Sequence, residues 1–235
     1  MQLIILASGR GSRLGRLTKK IPKCLVDVRS HSIIDYLSEN FKKFNQTIIL
    51  TGYKSKLLNN KFPKIKKVKN NKYMSTNMVY SLFCAKKYIT QDIIISYSDI
   101  IFDTKIIDKM IKIKKSHIPL NQEWLTLWKR RMVNKSINRD AEDLSTYKYN
   151  VLSIGEKIKN KRPKLQFMGL IKLKYKDFIN LHKYFKTLNN PKIDMTSFLN
   201  NAIKNKIINL NYFKTSRYWF EIDNINDKKI AEKFL

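Results

Sequence analysis

A glycine-containing stretch near the start of the chain has residues suited to holding an anion. Leu3 to Leu6 are apolar and predict a short buried strand. The loop that follows consists of Ala7, Ser8, Gly9, Arg10, Gly11 and Ser12. Two cations come next, Arg13 at the end of the loop and Lys23 directly after Pro22. Small residues let backbone amides approach an anion, and glycines adopt the angles that point those amides at it. The stretch therefore predicts a cradle for a triphosphate.

The spacing of this loop excludes two common phosphate-binding motifs. It is not the GxxxxGK[ST] pattern of a P-loop, and it lacks the third glycine of GxGxxG. A lone Gly-x-Gly, here Gly9 to Gly11, also occurs in ordinary turns between a strand and a helix. The loop alone leaves both interpretations open.

An aspartate follows a second strand of high β-propensity. Residues 92–97, Asp-Ile-Ile-Ile-Ser-Tyr, predict this strand, and Ser98 and Asp99 come directly after it. Ligands of parallel sheets lie at the carboxyl ends of the strands, so Asp99 is expected near the glycine loop. A carboxylate there suits Mg²⁺, although capping of the next helix is the alternative.

The order of the elements predicts the scaffold. Strands alternate with helices through the first half of the chain, which favours a parallel sheet with right-handed crossovers. Further strands are predicted at 46–50, 65–68, 166–173, 207–213 and 218–222. Helices are predicted at 32–44, 54–60, 78–88, 103–115 and 175–187, with others from 194 and after Asp227, which is interpreted as a helix cap.

From Glu123 onward the sequence predicts short strands separated by polar turns. Its notable side chains are Trp124, Trp128, Arg130 and Arg131. The two tryptophans are four residues apart, which fits plain core packing on a helix. Aromatic faces also bind quaternary ammonium groups, so a choline-type site is a second interpretation.

Length and composition predict one folded domain. The chain has 235 residues, 43% of them hydrophobic, which is enough to bury a core. Its formal net charge is +30, a value that could indicate a nucleic-acid surface. The lysines are spread over the whole chain without a recognisable RNA- or DNA-binding motif, so we expect no nucleic-acid partner. The positive field would still attract phosphorylated substrates.

Cysteine and histidine usage argues against a disulfide or a zinc site. Cys24 and Cys84 lie in apolar surroundings, and the three histidines are scattered. No signal peptide and no apolar run of about 20 residues is present. We therefore expect a cytoplasmic protein without membrane insertion.

The whole opening string is more specific than its glycines. Leu-Ala-Ser-Gly-x-Gly-x-Arg-Leu, then Leu-Thr, then Pro-Lys-x-Leu resembles the nucleotidyltransferase family that activates sugar phosphates, phosphocholine and related small phosphates. Ser8 stands where the family usually has Ala or Gly, and Gly15-Arg16 stand where Pro is common. The helix Asn77-Met-Val-Tyr-Ser-Leu resembles the cytidylyltransferase branch, which includes the phosphocholine and phosphoglutamine enzymes.

The resemblance implies a fold and a set of site residues. The fold is an α/β, Rossmann-like three-layer sandwich with a mostly parallel mixed sheet, divided into a nucleotide-binding half (1–115) and an acceptor-binding half (116–235). Lys23 and Arg13 are the implied catalytic cations, and Asp99 and Asp223 the implied Mg²⁺ ligands. The implied nucleotide contacts are Leu6, Ala7, Ser8, Gly9, Arg10, Gly11, Ser12, Gly52, Tyr53, Asn77 and Ser98. The candidate acceptor contacts are Trp124, Trp128, Arg130 and Glu221.

The expected reaction is transfer of CMP from CTP to a small phosphate or phosphonate, with release of pyrophosphate. Phosphoglutamine is the first candidate acceptor, followed by phosphocholine or a phosphonate, and the product would serve surface-polysaccharide or lipid decoration. A sugar-1-phosphate nucleotidyltransferase is the enzyme alternative, and a basic nucleic-acid-binding domain is the non-enzyme alternative. We expect a monomer or a homodimer.

Overall fold

The computed structural model describes residues 1–132, 137–159 and 161–235. Its strands are β1 (Gln2–Ala7), β2 (Asp27–Val28), β3 (His31–Ser32), β4 (Gln46–Thr51), β5 (Lys66–Lys69), β6 (Ile93–Tyr97), β7 (Ile100–Phe102), β8 (His117–Asn121), β9 (Glu142–Tyr147), β10 (Asn150–Lys157), β11 (Gln166–Phe167), β12 (Leu170–Leu173), β13 (Asn211–Thr215) and β14 (Trp219–Glu221). Its α-helices are α1 (Ile33–Ser38), α2 (Ser55–Lys61), α3 (Met78–Cys84), α4 (Lys105–Lys112), α5 (Trp124–Arg131), α6 (Ile137–Asp140), α7 (Tyr175–Thr187), α8 (Met195–Lys204) and α9 (Ile225–Phe234).

A mixed sheet of ten strands runs through the molecule. Its order is β5-β4-β1-β6-β12-β8-β13-β10-β9, and β11 pairs with β8. The pairings make seven of these ten strands point the same way, with β10, β11 and β12 opposed. The prediction of a mostly parallel mixed sheet is confirmed.

Helices cover both faces of the sheet, so its central strands are buried on both sides. Along β1, Ile4 and Leu6 pack into one apolar cluster, whereas Leu3 and Ile5 pack into another. Helices α3, α7 and α8 contribute to the first cluster, and α1, α2, α4 and α5 contribute to the second. This arrangement is the predicted three-layer sandwich.

A third, smaller cluster brings the two ends of the chain together. Strand β7 pairs antiparallel with β14, with Ile101 opposite Phe220, and both residues pack against α9 and the segment around Val26 and Val28. The backbone N–H of Ile222 donates to the carbonyl of Asp99 at 2.9 Å. This pairing holds Asp99 beside the residues that follow β14.

Several predicted elements are wrong in extent. The helix predicted over 32–44 ends at Ser38, and a short 3₁₀ turn follows at Phe41–Lys43. The region predicted as short strands begins with a helix, α5. The strand β8 was not predicted, since Pro119 within it lacks the N–H that a central strand uses.

The strand predicted over 166–173 is divided in two at Gly169. This residue has a φ of 76°, and a Cβ on it would lie 3.0 Å from the ring of Tyr97. The kink lets β11 pair with β8 while β12 pairs with β6. As a result, Gln166 and Phe167 leave the line of β12 and reach the site described below.

One expectation drawn from composition agrees with the structure. Cys24 and Cys84 are free thiols, and Cys24 is buried in the core. Within the described ranges, none of the helices combines the length and the apolar character needed to cross a membrane.

Candidate active site

The glycine loop lies at the carboxyl end of β1 and turns into a 3₁₀ helix, Ser12–Thr18. Gly11 has a φ of 72°, and a Cβ there would lie 2.6 Å from the Cβ of Lys23. The Thr18 hydroxyl donates to the Gly11 carbonyl at 2.9 Å, which fixes the turn. Glycine is therefore required at position 11 because the stem of Lys23 packs against the loop.

Four charged side chains meet in front of this loop. The Nζ atom of Lys23 lies 2.7 Å from Asp99 Oδ2 and 2.5 Å from Asp223 Oδ1. Arg13 Nη1 lies 2.9 Å from the other oxygen of Asp223. The two predicted catalytic cations and the two predicted metal ligands are thus brought together, although Asp99 and Asp223 are far apart in sequence.

The opposite charges within this cluster determine the protonation states of Lys23 and Asp223. Burial alone would lower the pKa of Lys23, but attraction by Asp99 and Asp223 outweighs it and raises that pKa above its ordinary value. Burial also opposes ionisation of Asp223, yet the charges of Lys23 and Arg13 lower its pKa. Lys23 is therefore an ammonium and Asp223 a carboxylate at neutral pH.

A cavity of about 230 Å³ lies on the glycine-loop side of this charge cluster. Of the predicted nucleotide contacts, Leu6, Ser8, Gly9, Gly11, Asn77 and Ser98 line it, together with Arg13, Lys23 and Asp99. Tyr73, Thr76, Met78 and Ser81 also line it and were not predicted. They come from the loop before α3 and from the first turns of that helix, where Asn77 was the only residue predicted to contact the nucleotide.

The remaining predicted nucleotide contacts lie behind the wall of this cavity or beside it. Ala7 is buried in β1, and the Tyr53 N–H donates to the Ser8 carbonyl at 3.1 Å. A Cβ on Gly52 would lie 2.5 Å from that carbonyl oxygen, so the turn after β4 needs glycine to approach the loop. Arg10 lies over the Tyr53 ring, 5.6 Å from its centroid. Ser12 does not line the cavity.

A second cavity, of about 260 Å³, lies on the other side of the charge cluster. Arg13 and Met78 line both cavities, so the two spaces meet there. Among the candidate acceptor contacts, Trp128 and Glu221 line the second cavity. Burial, and secondarily the charge of Asp223, raises the pKa of Glu221 to about 8.

The other two candidate acceptor contacts are placed elsewhere. Trp124 is buried in the core and its indole N–H donates to the Pro163 carbonyl at 3.1 Å. Arg130 is exposed and lies 4.3 Å from the centroid of the Phe234 ring. Neither lines the cavity: Trp124 lies one turn before Trp128 on the same buried face of α5, whereas Arg130 lies on the exposed face.

Arg131, noted in the sequence without a role, forms a buried ion pair behind the second cavity. Its Nε donates to Asp227 Oδ1 at 2.9 Å and its Nη2 to Asp227 Oδ2 at 3.1 Å. Asp227 Oδ2 in turn accepts the backbone N–H of Asp223 at 2.9 Å. The cap of α9 is Asn224 and not Asp227, which is the third residue of the helix and completes a capping box with Asn224. This chain of contacts positions Asp223.

The donor set at Asp99 and Asp223 fits a divalent cation of the Mg²⁺ type. Both carboxylates already converge on one cationic nitrogen, and Asp99 Oδ1 is buried without a hydrogen-bond partner in the described part of the chain. Within residues 1–132, 137–159 and 161–235, no group of three or more His, Cys, Asp and Glu side chains could hold a metal. Two carboxylates with the remaining positions open suit Mg²⁺, which binds few protein ligands and shares phosphate oxygens.

The chain is similar to known proteins over nearly its whole length. Residues 2–232 match the nucleotidyl transferase family. The chain is 33% identical to CTP:phosphoglutamine cytidylyltransferase of Campylobacter jejuni, over 98% of both proteins. It is 25% identical to the bifunctional protein GlmU of Methanococcus aeolicus, over 94% of this chain and 51% of that protein.

Solved structures share the fold. CTP:phosphocholine cytidylyltransferase from Streptococcus pneumoniae has a TM-score of 0.79 at 21% identity, over 99% of this chain and 98% of its own. The inositol-1-phosphate CTP transferase from T. maritima has a TM-score of 0.78 at 16% identity, over 98% and 93%.

The ion pair behind the site leads to a stability prediction. Replacing Arg131 by Met leaves the buried Asp227 carboxylate without its cation, so we expect the free energy of unfolding to fall by about 3–5 kcal/mol. The matched control is Arg130→Met, which removes only an exposed cation–π contact and should cost about 1 kcal/mol or less. Urea denaturation of both variants makes the comparison, and equal losses would contradict the role given to Arg131.

Proposed function

This chain belongs to the nucleotidyl transferase family, and we propose that it transfers CMP from CTP to a small phosphorylated acceptor, releasing pyrophosphate. The observation that carries the proposal is the position of the charge cluster between two cavities: Lys23 and Asp99 line the first, Asp223 lines the second, and Arg13 lines both. A nucleotide in the first cavity and an acceptor in the second would have their phosphates side by side at these charges.

The choice of CTP and acceptor is supported by the relatives. The Campylobacter jejuni protein, which is similar over the full length, carries the name CTP:phosphoglutamine cytidylyltransferase. We therefore propose phosphoglutamine as the first acceptor to test, followed by phosphocholine and an aminoethylphosphonate. The similarity to GlmU keeps a sugar phosphate as the competing acceptor class.

The proposed mechanism uses the acceptor phosphate itself as the nucleophile. Backbone amides of the glycine loop and the Arg13 guanidinium would hold the outer phosphates of the triphosphate. Lys23, kept protonated by Asp99 and Asp223, would stabilise the charge that develops on the α-phosphate during an in-line displacement. Bringing both phosphates to one place supplies the rest of the rate enhancement.

We propose Mg²⁺ as the cofactor, with Asp99 and Asp223 as its protein ligands. When bound, Mg²⁺ neutralises charge on phosphate oxygens and orients them for transfer. Because the Lys23 ammonium lies between the two carboxylates, it would have to leave at least one of them for Asp99 and Asp223 to hold the ion. The ammonium would then be available to the phosphates of the substrates.

Two substitutions test the assignment of the charge cluster. Lys23→Ala and Asp99→Asn should each reduce pyrophosphate release from CTP by about 10²- to 10³-fold, because each removes a charge at the transferring phosphate. Lys56→Ala is the control, since this lysine is exposed on α2 and lines neither cavity. Thermal unfolding checks that the variants fold, and near wild-type turnover in a folded variant would contradict the assignment.

A substrate panel tests the reaction itself. Pyrophosphate release is measured with CTP, UTP, GTP and dTTP against phosphoglutamine, phosphocholine, 2-aminoethylphosphonate and glucose 1-phosphate, in the presence of Mg²⁺. We expect turnover with CTP and an amine-bearing acceptor. Turnover only with UTP or dTTP and the hexose phosphate would favour the sugar-phosphate alternative. Tight, salt-sensitive oligonucleotide binding without pyrophosphate release would favour the nucleic-acid alternative.

A further inference from the structure

The lining of the second cavity is acidic although the protein is strongly basic. Five of the 18 Asp and Glu residues of the chain line it, in a protein with a formal net charge of +30. Two of them, Glu221 and Asp223, are accounted for by Arg131, Lys23 and Arg13. The other three are Asp140, Glu142 and Asp194. Carboxylates that served only to keep the protein soluble would be spread over the surface. They would not be gathered around a pocket that, under the proposed function, also accepts a phosphate.

These three carboxylates lack a cation. Asp140 accepts the indole N–H of Trp128 at 2.9 Å, and Glu142 accepts the Thr196 hydroxyl at 2.8 Å. Asp194 accepts the Ser197 N–H and the same hydroxyl. In the part of the chain that the structure describes, none of the three forms a salt bridge. Burial, followed by the charges of Asp194 and Asp140, raises the pKa of Glu142, which is the effect of carboxylates gathered without a counter-ion.

Two buried polar atoms in the same cavity also lack partners. Gln166 is 5% exposed and its Oε1 is unpaired, and Trp219 is 3% exposed and its Nε1 is unpaired, as judged over the described residues. Both residues line the second cavity. Buried polar groups are almost always hydrogen-bonded, so an unpaired acceptor and an unpaired donor at one cavity point to a ligand that offers the matching groups.

Trp128, the candidate residue for a quaternary-ammonium cage, is poorly placed for that role. Trp128 is 3% exposed, because the Arg131 guanidinium lies 4.3 Å from its ring centroid and the Trp219 ring 5.0 Å from it. A quaternary ammonium is bound by open aromatic faces and has no N–H to donate. Carboxylates and an amide oxygen instead match a primary ammonium, which has three N–H donors.

On the basis of the function proposed above, we propose that Glu142, Asp194 and Gln166 form a subsite for a primary ammonium group on the phosphorylated acceptor. The acceptor is then of the amino-acid or amino-alcohol phosphate class, with its phosphate at Lys23 and Arg13 and its amine at the opposite wall. The indole N–H of Trp219 would donate a hydrogen bond to an oxygen of the acceptor. A quaternary amine has no N–H to donate to these groups, and a sugar phosphate offers hydroxyl donors but no positive charge, so each binds more weakly.

Three acceptors that differ at one end provide the test. Phosphoethanolamine has a primary ammonium, phosphocholine has three methyl groups in place of its N–H bonds, and ethyl phosphate has no amine. With CTP and Mg²⁺, we expect kcat/KM for phosphoethanolamine to exceed that for each of the other two by about 10- to 100-fold, as for hydrogen bonds to charged groups. Equal values, or a preference for phosphocholine, would overturn the subsite.

Near-isosteric variants assign the preference to the named residues. Glu142→Gln and Asp194→Asn keep the hydrogen bonds from Thr196 and Ser197 but lose the charge, so each should lower kcat/KM for phosphoethanolamine by about 10-fold or more. With ethyl phosphate, which has no amine, each variant should lose much less kcat/KM than with phosphoethanolamine. Asp143→Asn is the matched control, since this residue neighbours Glu142 on β9 but does not line the cavity.

Failure of the subsite and failure of the proposed reaction give different results. If neither these acceptors nor those of the substrate panel release pyrophosphate from any nucleotide, the reaction itself is wrong. If acceptors turn over but the two variants lose activity equally with phosphoethanolamine and ethyl phosphate, the reaction holds and the ammonium subsite is wrong.

Discussion

The ammonium of Lys23, held between Asp99 and Asp223, is the interaction on which the rest of the site depends. Three charged groups withdrawn from solvent are stable only when their geometry lets attraction exceed the loss of hydration. Here that geometry comes from two different parts of the fold. Gly11 gives Lys23 its place beside the loop, and the pairing of β7 with β14 sets Asp99 beside Asp223. Behind them, Asp227 and Arg131 hold the backbone of Asp223. Each cavity then opens onto the same cluster, one on either side.

The charges of the protein surface and of the second cavity differ in sign, which fits different roles for the two. The overall excess of lysine attracts phosphorylated molecules without choosing among them. Under the proposed function, the carboxylates of the second cavity would select the acceptor, and Glu142 and Asp194 there are acidic in a basic protein. The loop before α3, where Tyr73 and Thr76 join Asn77, would select the nucleotide. The phosphates of both substrates would then lie at the charge cluster.

Sequence patterns predicted the parts of this structure that local chemistry determines. The apolar run of β1, the glycine loop and the strand before Asp99 needed only propensity and spacing, and the family resemblance led to Asp223. These patterns did not predict how distant strands pair in the sheet. Pro119, which is unfavourable in a central strand, lies within β8, and Gly169 divides an apolar run that had been predicted as one strand. The sequence did not distinguish the roles of Arg130 and Arg131. One residue along a helix turns the side chain by about 100°, and packing against α9 decides which arginine is buried. Asp140 and Glu142 belong to a string, Asp140-Ala141-Glu142, that resembles the phosphoglutamine enzymes, but nothing in the sequence linked that string to Asp194 or Gln166.

The central claim is that CTP and the acceptor bind together on either side of Lys23 and that the acceptor phosphate attacks the α-phosphorus directly. The configuration at that phosphorus tests it most directly, using CTP made chiral there by sulfur substitution and the best acceptor of the substrate panel. A single in-line displacement predicts a product with inverted configuration. Retention of configuration would require two displacements through a nucleotidylated enzyme, and would contradict the account.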